Sequence, residues 1–455
     1  MILGRKSELQ YLTSCYQKGK NQLIVLYGCE NIGKTALLKE FCKDKESVYY
    51  EAVSCSEKEQ KNLFAQAMQR RSGLKLTDVS FDASLRQTKP KNGGRQIFIV
   101  EEISNIVKGG LDFMESLDKL LNGVFYEEPV MVIVTSSSVS WVENDFVRSI
   151  GSYAYKISGF LKVKDLRFVD SVHYFEQYSV QDCIEAYGIL GGIPGLLAQW
   201  DKEKTVKENI CSTILQKKSY LYEAASSYVG KELRETGVYN TILAALALGK
   251  SKLNDLYEET GFSRAKISVY LKTLIEMEIV EKVFSFQTRG HANTQKGIYR
   301  IKNHLLNFWF KFVYPNLTQL ELMDAESFYD TFIAPDYMKY MERYYIDVCR
   351  EYLELMNQAG RLQVQFTRIG SWYGKQGDIH IMAQDEQGHY LLGQCCWEKE
   401  CMTVEDYEKM LECVKQAKIK NVDYYYLFSR YMYDVHLKDM AKTEPEIILI
   451  GLDKL

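Results

Sequence analysis

Proline is scarce, with six residues in a chain of 455. Pro-rich extended linkers are thereby excluded as joints between domains, which leaves helices and short loops. The chain also lacks any apolar run near the roughly 20 residues that span a bilayer. The start Met1-Ile2-Leu3-Gly4-Arg5 has no signal-peptide core, so the expected compartment is cytoplasmic, with no membrane partner. Eleven cysteines are scattered without a Cys-x-x-Cys pair or a Cys/His cluster at zinc spacing, and an odd total suits reduced thiols rather than a disulfide framework. Charge of one sign is lacking too: the net value of −3 excludes a strongly basic coat over the whole chain, while a local basic patch stays open. What is present is ordinary globular chemistry, 46% hydrophobic and 26% charged. The length is too great for one core and implies about two to four domains.

The stretch Leu23 to Leu38 organises the rest. Leu23-Ile24-Val25-Leu26-Tyr27 reads as a buried strand and runs into Gly28-Cys29-Glu30-Asn31-Ile32-Gly33-Lys34-Thr35-Ala36, which satisfies G-x-x-x-x-G-K-[ST] and opens an apolar helix. This is a phosphate-binding loop. Its glycines let backbone N–H groups converge on a triphosphate at a helix N-terminus. Lys34 is expected to reach the terminal phosphates and Thr35 to offer a hydroxyl to Mg²⁺. Ahead of it, Leu3 to Leu12 places apolar residues at helical spacing behind Gly4-Arg5, with Glu8 three residues on.

Downstream, Ser47-Val48-Tyr49-Tyr50-Glu51-Ala52 reads as a second strand, and Arg95-Gln96-Ile97-Phe98-Ile99-Val100-Glu101-Glu102 as an apolar strand ending in two acids. Such a pair is what phosphoanhydride hydrolysis needs: one carboxylate for the Mg²⁺ shell, here Glu101, and a second to activate water, here Glu102. Pro129 to Ser138 is a further buried strand ending in hydroxyls, with Thr135 or Ser136 as a sensor of the terminal phosphate. Arg148 is a candidate finger. Residues Ser158 to Asp201 read as short helices interrupted at Gly191-Gly192-Ile193-Pro194, a break that brings backbone close to a neighbouring group and suits a lid over a nucleotide base.

Taken together, Gly4-Arg5, GCENIGKT, IFIVEE, VIVTSSS and GGIPGLL resemble the archaeal-type P-loop ATPases of the AAA+/STAND group, from the N-terminus to about residue 300. The resemblance implies ATP and Mg²⁺ as ligands, Lys34 and Thr35 on phosphates and metal, Glu101 and Glu102 as the acidic pair, and Pro194 near the adenine. The chain departs from that family's pattern in having Cys29-Glu30-Asn31 where basic residues are common and Glu-Glu where Asp-Glu is usual.

Between Val238 and Ile301 three short helices and a hairpin follow. The first ends near Gly249, Lys252 to Thr260 makes the second, Gly261-Phe262 turns, and Ser263 caps the third. In a DNA reader Arg264, Lys266 and Ser268 would face the major groove while Lys282, Arg289 and Lys296 meet phosphates; in a protein-binding module the same fold packs on a partner. Asn303 to Pro315 is an aromatic helix read as core. The Phe308-Trp309-Phe310 run precedes a last domain that is similar to the PD-(D/E)xK nucleases. A working nuclease of that type needs an acid on one strand and acid-x-Lys on the next. Here His380 and Gln394-x-Cys396 occupy those places, with Asp378 the lone surviving acid, so a non-cleaving fold is expected.

The sequence therefore predicts an α/β P-loop NTPase core with a parallel sheet (1–157), a helical lid (158–230), a winged helix-turn-helix (231–302), a helical connector (303–335) and a C-terminal α/β restriction-nuclease-like domain (336–455). The function it points to is an ATP-binding, ATP-hydrolysing regulatory ATPase that couples nucleotide state to DNA, a protein partner or a second copy. The alternatives are a non-hydrolysing nucleotide-sensing scaffold and an ATP-driven nuclease module.

Overall fold

Helix α1 (Lys6–Gln17) leads into strand β1 (Gln22–Tyr27), whose six residues are all buried, as a strand covered on both faces requires. The computed structural model describes residues 2–73, 78–88, 95–288 and 297–455. Helix α2 (Lys34–Phe41) starts directly behind the glycine loop. Strands β2 (Ser47–Glu51), β3 (Ile97–Glu101), β4 (Met131–Ser136) and β5 (Ile157–Lys162) complete a five-stranded sheet in the order β2-β3-β4-β1-β5 with every pair parallel. Parallel neighbours need crossovers. Helices such as Glu57–Ser72 and Asp112–Leu121 supply them, and their apolar faces join Val25, Phe98 and Val132 in one core.

Register positions the functional groups. β1 runs in step with β4 from Gln22 opposite Met131 to Tyr27 opposite Ser136, and β3 with β4 from Ile97 opposite Met131 to Val100 opposite Val134. The residues just beyond these strands, Gly28, Glu102 and Ser137, therefore leave the sheet at one end, the carboxyl end, where ligands of open parallel sheets bind.

The chain divides into two units, Met1–Leu166 with Ile193–Gly195, and Arg167–Gly192 with Leu196–Leu455. This corrects two sequence-based boundaries. The core does not end at residue 157, because Ile157–Lys162 is a fifth strand of its sheet; half-exposed and interrupted by Gly159, that segment lacks the apolar run that marks the other strands. The lid segment is not continuous either, since Ile193–Gly195 groups with the core.

In the second unit, helices Thr236–Ala247, Leu253–Thr260 and Arg264–Glu276 form the helix-turn-helix. Gly261 takes φ +69° at the turn, and the Ser263 hydroxyl accepts from the Lys266 N–H at 3.2 Å, a side-chain cap of the third helix. β6 (Val280–Val283) and β7 (Ile298–Ile301) pair antiparallel as the stem of the wing. The last domain is built on a mixed sheet. β8 (Arg368–Tyr373), β9 (Asp378–Gln384) and β10 (Tyr390–Cys396) are antiparallel, and Val422–Ser429 and Ile447–Gly451 extend the sheet in parallel. This is the α/β class expected.

The wing is built into that domain. Phe286 lies in the same apolar core as Trp372, Leu392 and Met410. Gln287 Nε2 donates to Ala417 O at 2.5 Å, Trp372 Nε1 donates to Gln287 at 3.2 Å, and Arg368 donates to Phe286 O at 2.9 Å.

Candidate functional site

Lys34 is buried, 7% exposed, and its ammonium spends its three donors on Gly28 O at 2.8 Å, Cys29 O at 3.1 Å and Ser137 Oγ at 2.8 Å. Burial lowers its pKa, opposed by the nearby carboxylates of Glu102 and Glu101. One residue on, Thr35 Oγ1 donates to Glu101 at 2.8 Å. Glu102 takes φ +52°, uncommon for a residue with a side chain, and its carboxylate accepts from Ser137 N at 3.1 Å and Ser137 Oγ at 2.5 Å.

The loop that carries Lys34 is locked from several sides. Gly28 tolerates no side chain, since a Cβ there would stand 2.5 Å from Val163 O. Gly33, with φ +93°, forms the N-cap of α2, a left-handed backbone that favours glycine. Arg5 is buried and donates to Ile32 O at 2.9 Å and Lys164 O at 2.6 Å, so the Gly-Arg at the chain start braces the back of the loop. Gly195 N donates to Asn31 O at 2.9 Å, and a Cβ on Gly33 would lie 3.7 Å from the Pro194 ring. Ile32 is fully buried, whereas Glu30 and Ala36 are exposed and Cys29 and Asn31 half-buried.

Beside Thr35 and Glu101 lies a cavity of about 540 Å³, lined also by Lys39, Tyr49 and Glu51. Burial and a hydrogen bond to Glu101 push the Tyr49 phenol up. A hydroxyl and a carboxylate 2.8 Å apart are the hard-oxygen donors that suit Mg²⁺, so the residues present fit that ion.

Sequence reasoning brought Gly28, Lys34, Thr35, Glu101 and Glu102 to one place, and the structure brings them together. At the end of β4 it singled out Thr135 or Ser136: both are fully buried, and Thr135 Oγ1 accepts from Glu102 N at 3.4 Å, while Ser137 touches both Lys34 and Glu102. The signal for Ser137 was its place just past the strand, but which of four consecutive hydroxyls clears the sheet depends on register. Arg148, a candidate finger, is 83% exposed on its side chain and pairs with Asp145 at 3.9 Å.

In the second unit Arg264 and Lys266 are exposed. Arg264 Nε donates to Asn254 at 2.8 Å and stacks on Tyr257, and Lys266 lies over Phe262. The Ser268 hydroxyl turns back to Arg264 O at 2.8 Å, so its donor is already engaged. Lys282 packs over Phe284 and Tyr299; Arg289 and Lys296 lie outside the described residues. On the mixed sheet, Asp378 accepts from Gly374 N at 3.0 Å. His380 Nδ1 accepts from Cys395 N at 3.1 Å, and burial pushes the imidazole down to about 4. Among the described residues no three His, Cys, Asp or Glu side chains gather as a metal site, and no helix is long and apolar enough to cross a membrane.

Compared with known families, residues 2–200 match the ATPase domain predominantly from Archaea. Residues 240–282 match the bacterial regulatory protein, arsR family, and residues 309–411 a family described as Archaea bacterial proteins of unknown function. An uncharacterised protein of Methanocaldococcus jannaschii is 25% identical over 464 residues, covering 100% of this chain and 99% of its own. Among solved structures, a Walker-type ATPase of Pyrococcus abyssi aligns at TM-score 0.47 and 17% identity over 68% of this chain and 96% of its own. The Aeropyrum pernix ORC2 protein in its ADPNP–ADP complexes aligns at TM-score 0.45 and 14% identity over 70% and 94%.

Proposed function

For a chain whose residues 2–200 match the ATPase domain predominantly from Archaea, we propose that it binds and hydrolyses ATP and passes the nucleotide state to its winged helix. The observation that carries this reading is the convergence of Lys34, Thr35, Glu101 and Glu102 at one end of the parallel sheet. Lys34 would give up its present acceptors for the terminal phosphates, a buried cation exchanging neutral partners for charged ones. Mg²⁺, held by Thr35 and Glu101, supplies neutralisation of phosphate charge when bound. Glu102 takes a proton from water, the water oxygen bonds to the terminal phosphorus, and the bond from that phosphorus to the bridging oxygen breaks, ADP leaving with its electron pair. Pro194 and the loop backbone from Gly28 to Ala36 border the nucleotide.

The winged helix would then bind duplex DNA through Arg264 and Lys266, or a protein partner or second copy through the same face. The C-terminal domain is read as a non-cleaving nuclease-like fold, because His380, Gln394 and Cys396 stand where acids and a lysine are needed.

The test is ATP affinity and phosphate release by the full chain and by Lys34→Ala, with and without duplex DNA. Turnover stimulated by DNA and reduced about 10²- to 10³-fold in Lys34→Ala is expected. Tight ATP binding with no turnover under either condition sinks the hydrolytic reading and leaves the nucleotide-sensing scaffold.

A further inference from the structure

In the last domain, strands Tyr390–Cys396 and Val422–Ser429 run parallel and finish in step, Cys396 opposite Ser429. The next residue on each, Trp397 and Arg430, therefore leaves the sheet at one place, its carboxyl end, and Arg430 N donates to Cys396 O at 3.1 Å. Trp397 is fully buried and Arg430 is 6% exposed. A buried arginine ordinarily rests on a carboxylate. Among the described residues, no acid lies within 4 Å of this guanidinium. Glu185 feels its charge from farther off, but its oxygens already accept from Gln181 Nε2 at 2.9 Å and from the Tyr337 hydroxyl at 3.1 Å.

The rings of Trp397 and Tyr431 lie 5.1 and 4.1 Å from the central carbon of the guanidinium. Rings take the flat of such a group and leave its N–H edge for acceptors. On that edge Nη1 meets the Met338 sulfur at 3.2 Å, a weak acceptor, and the buried Nε has no acceptor in the protein. Trp397 Nε1 is buried and has none either. Donors left in this way destabilise a fold unless something else supplies the acceptor.

We propose that Arg430 anchors a binding site for a carboxylate, seated against the N–H edge of the guanidinium with Trp397 and Tyr431 as walls. A carboxylate matches that fork with two parallel hydrogen bonds, and its single negative charge balances the single cation. A phosphate dianion would bring a surplus negative charge toward Glu185. Access lies past Tyr431, which is exposed, and Met338, which is half-buried on helix Ala334–Gln358 and has the flexible side chain that can move aside. The aromatic walls favour an acid with a flat or apolar body. The carboxylate comes either from a free acid or from an acidic side chain of a protein.

The test uses the full chain, Arg430→Met and Arg430→Lys, with sodium acetate and sodium benzoate at fixed ionic strength. Saturation-transfer NMR is expected to find both acids on the wild type, benzoate the tighter. Binding weakens at least about tenfold in Arg430→Lys, which keeps the charge and loses the fork, and is lost in Arg430→Met. In chloride alone Arg430→Met, an apolar side chain of similar length, melts at or above the wild-type Tm. A lower Tm would make Arg430 a support of the fold and overturns the site, as does equal binding of the acids by Arg430→Met or no binding of either by the wild type. Inorganic phosphate displacing benzoate better than acetate does overturns the carboxylate assignment. N-acetyl-aspartate methylamide separates the sources: binding tighter than acetate supports a protein side chain as the occupant, and weaker binding supports a free acid.

Discussion

The phosphate loop and the mixed C-terminal sheet both carry polar side chains out on strands, and they treat charge in opposite ways. In the loop a buried ammonium is kept, surrounded by two carbonyls, a hydroxyl and two carboxylates. In the sheet the side chain beside Asp378 is a histidine that burial holds neutral, with its pKa near 4. Its neighbours Gln394 and Cys396 carry no charge to balance one, and burial pushes the Cys396 thiol up. Charge removed from water is stable where partners are supplied and is otherwise given up. One keeps a cation among polar partners; the other keeps its histidine neutral.

The sharpest way to break this contrast is at Glu102. Glu102→Gln removes the proposed base while keeping a hydrogen-bond acceptor for Ser137, so phosphate release drops about 10²-fold or more and calorimetry finds ATP affinity retained. Unchanged turnover would mean that the acidic pair is as inert as the sheet. Next in size is pH. His304 and His380 are both held near 4 in the folded chain, below the ordinary value of about 6.5. A folded pKa depressed in this way favours the neutral ring, so each contributes stability that is complete above about pH 6.5 and is lost as pH falls toward 4, of order 3 kcal/mol apiece at the limit. Urea unfolding followed by tryptophan fluorescence at about pH 7.5 and pH 5 measures it. A flatter pH response in His380→Gln sharpens the contrast, and coincident curves for the wild type at the two values remove it.

Smaller effects follow. Gly28→Ala drives a methyl against Val163 O and is expected to lower stability by about 1–3 kcal/mol, seen as a lower Tm. A Tm equal to the wild type would show the loop to be less tightly held than its geometry implies. Last, Arg264→Ala weakens duplex-DNA binding by about 1 kcal/mol, roughly fivefold, with a shallower salt dependence. No change in affinity would assign that helix face to another partner.

What could be read in the sequence was what is local. The glycine loop, Lys34, Thr35 and the Glu101-Glu102 pair are contiguous motifs whose residue types are dictated by phosphate and metal chemistry, and the apolar runs around them name their strands. Legibility ends where a choice depends on contacts distant along the chain. Thr135, Ser136, Ser137 and Ser138 are equivalent as a string; only the step of β4 against β1 and β3 sends Thr135 inward and Ser137 to Lys34. β5 was hidden for a related reason, since an outer strand needs one apolar face at most and Ile157–Lys162 offers no run. Arg5 was visible as a lead-in, but its grip on Ile32 O spans 27 residues and leaves no pattern nearby.

The union of the wing with the last sheet has a consequence for how this chain can be inherited. β8 is the outer strand of its sheet, and such an edge invites pairing with other chains unless something covers it. Phe286 and its neighbours lie against it, with Arg368 and Trp372 bonded to the wing. A gene rearrangement that parted the two at residues 302–303 would leave one product with a bare edge and an empty socket in its core, and the other with a stray phenylalanine. Phe286 and the last sheet thus share one apolar core and are expected to fold as a single part.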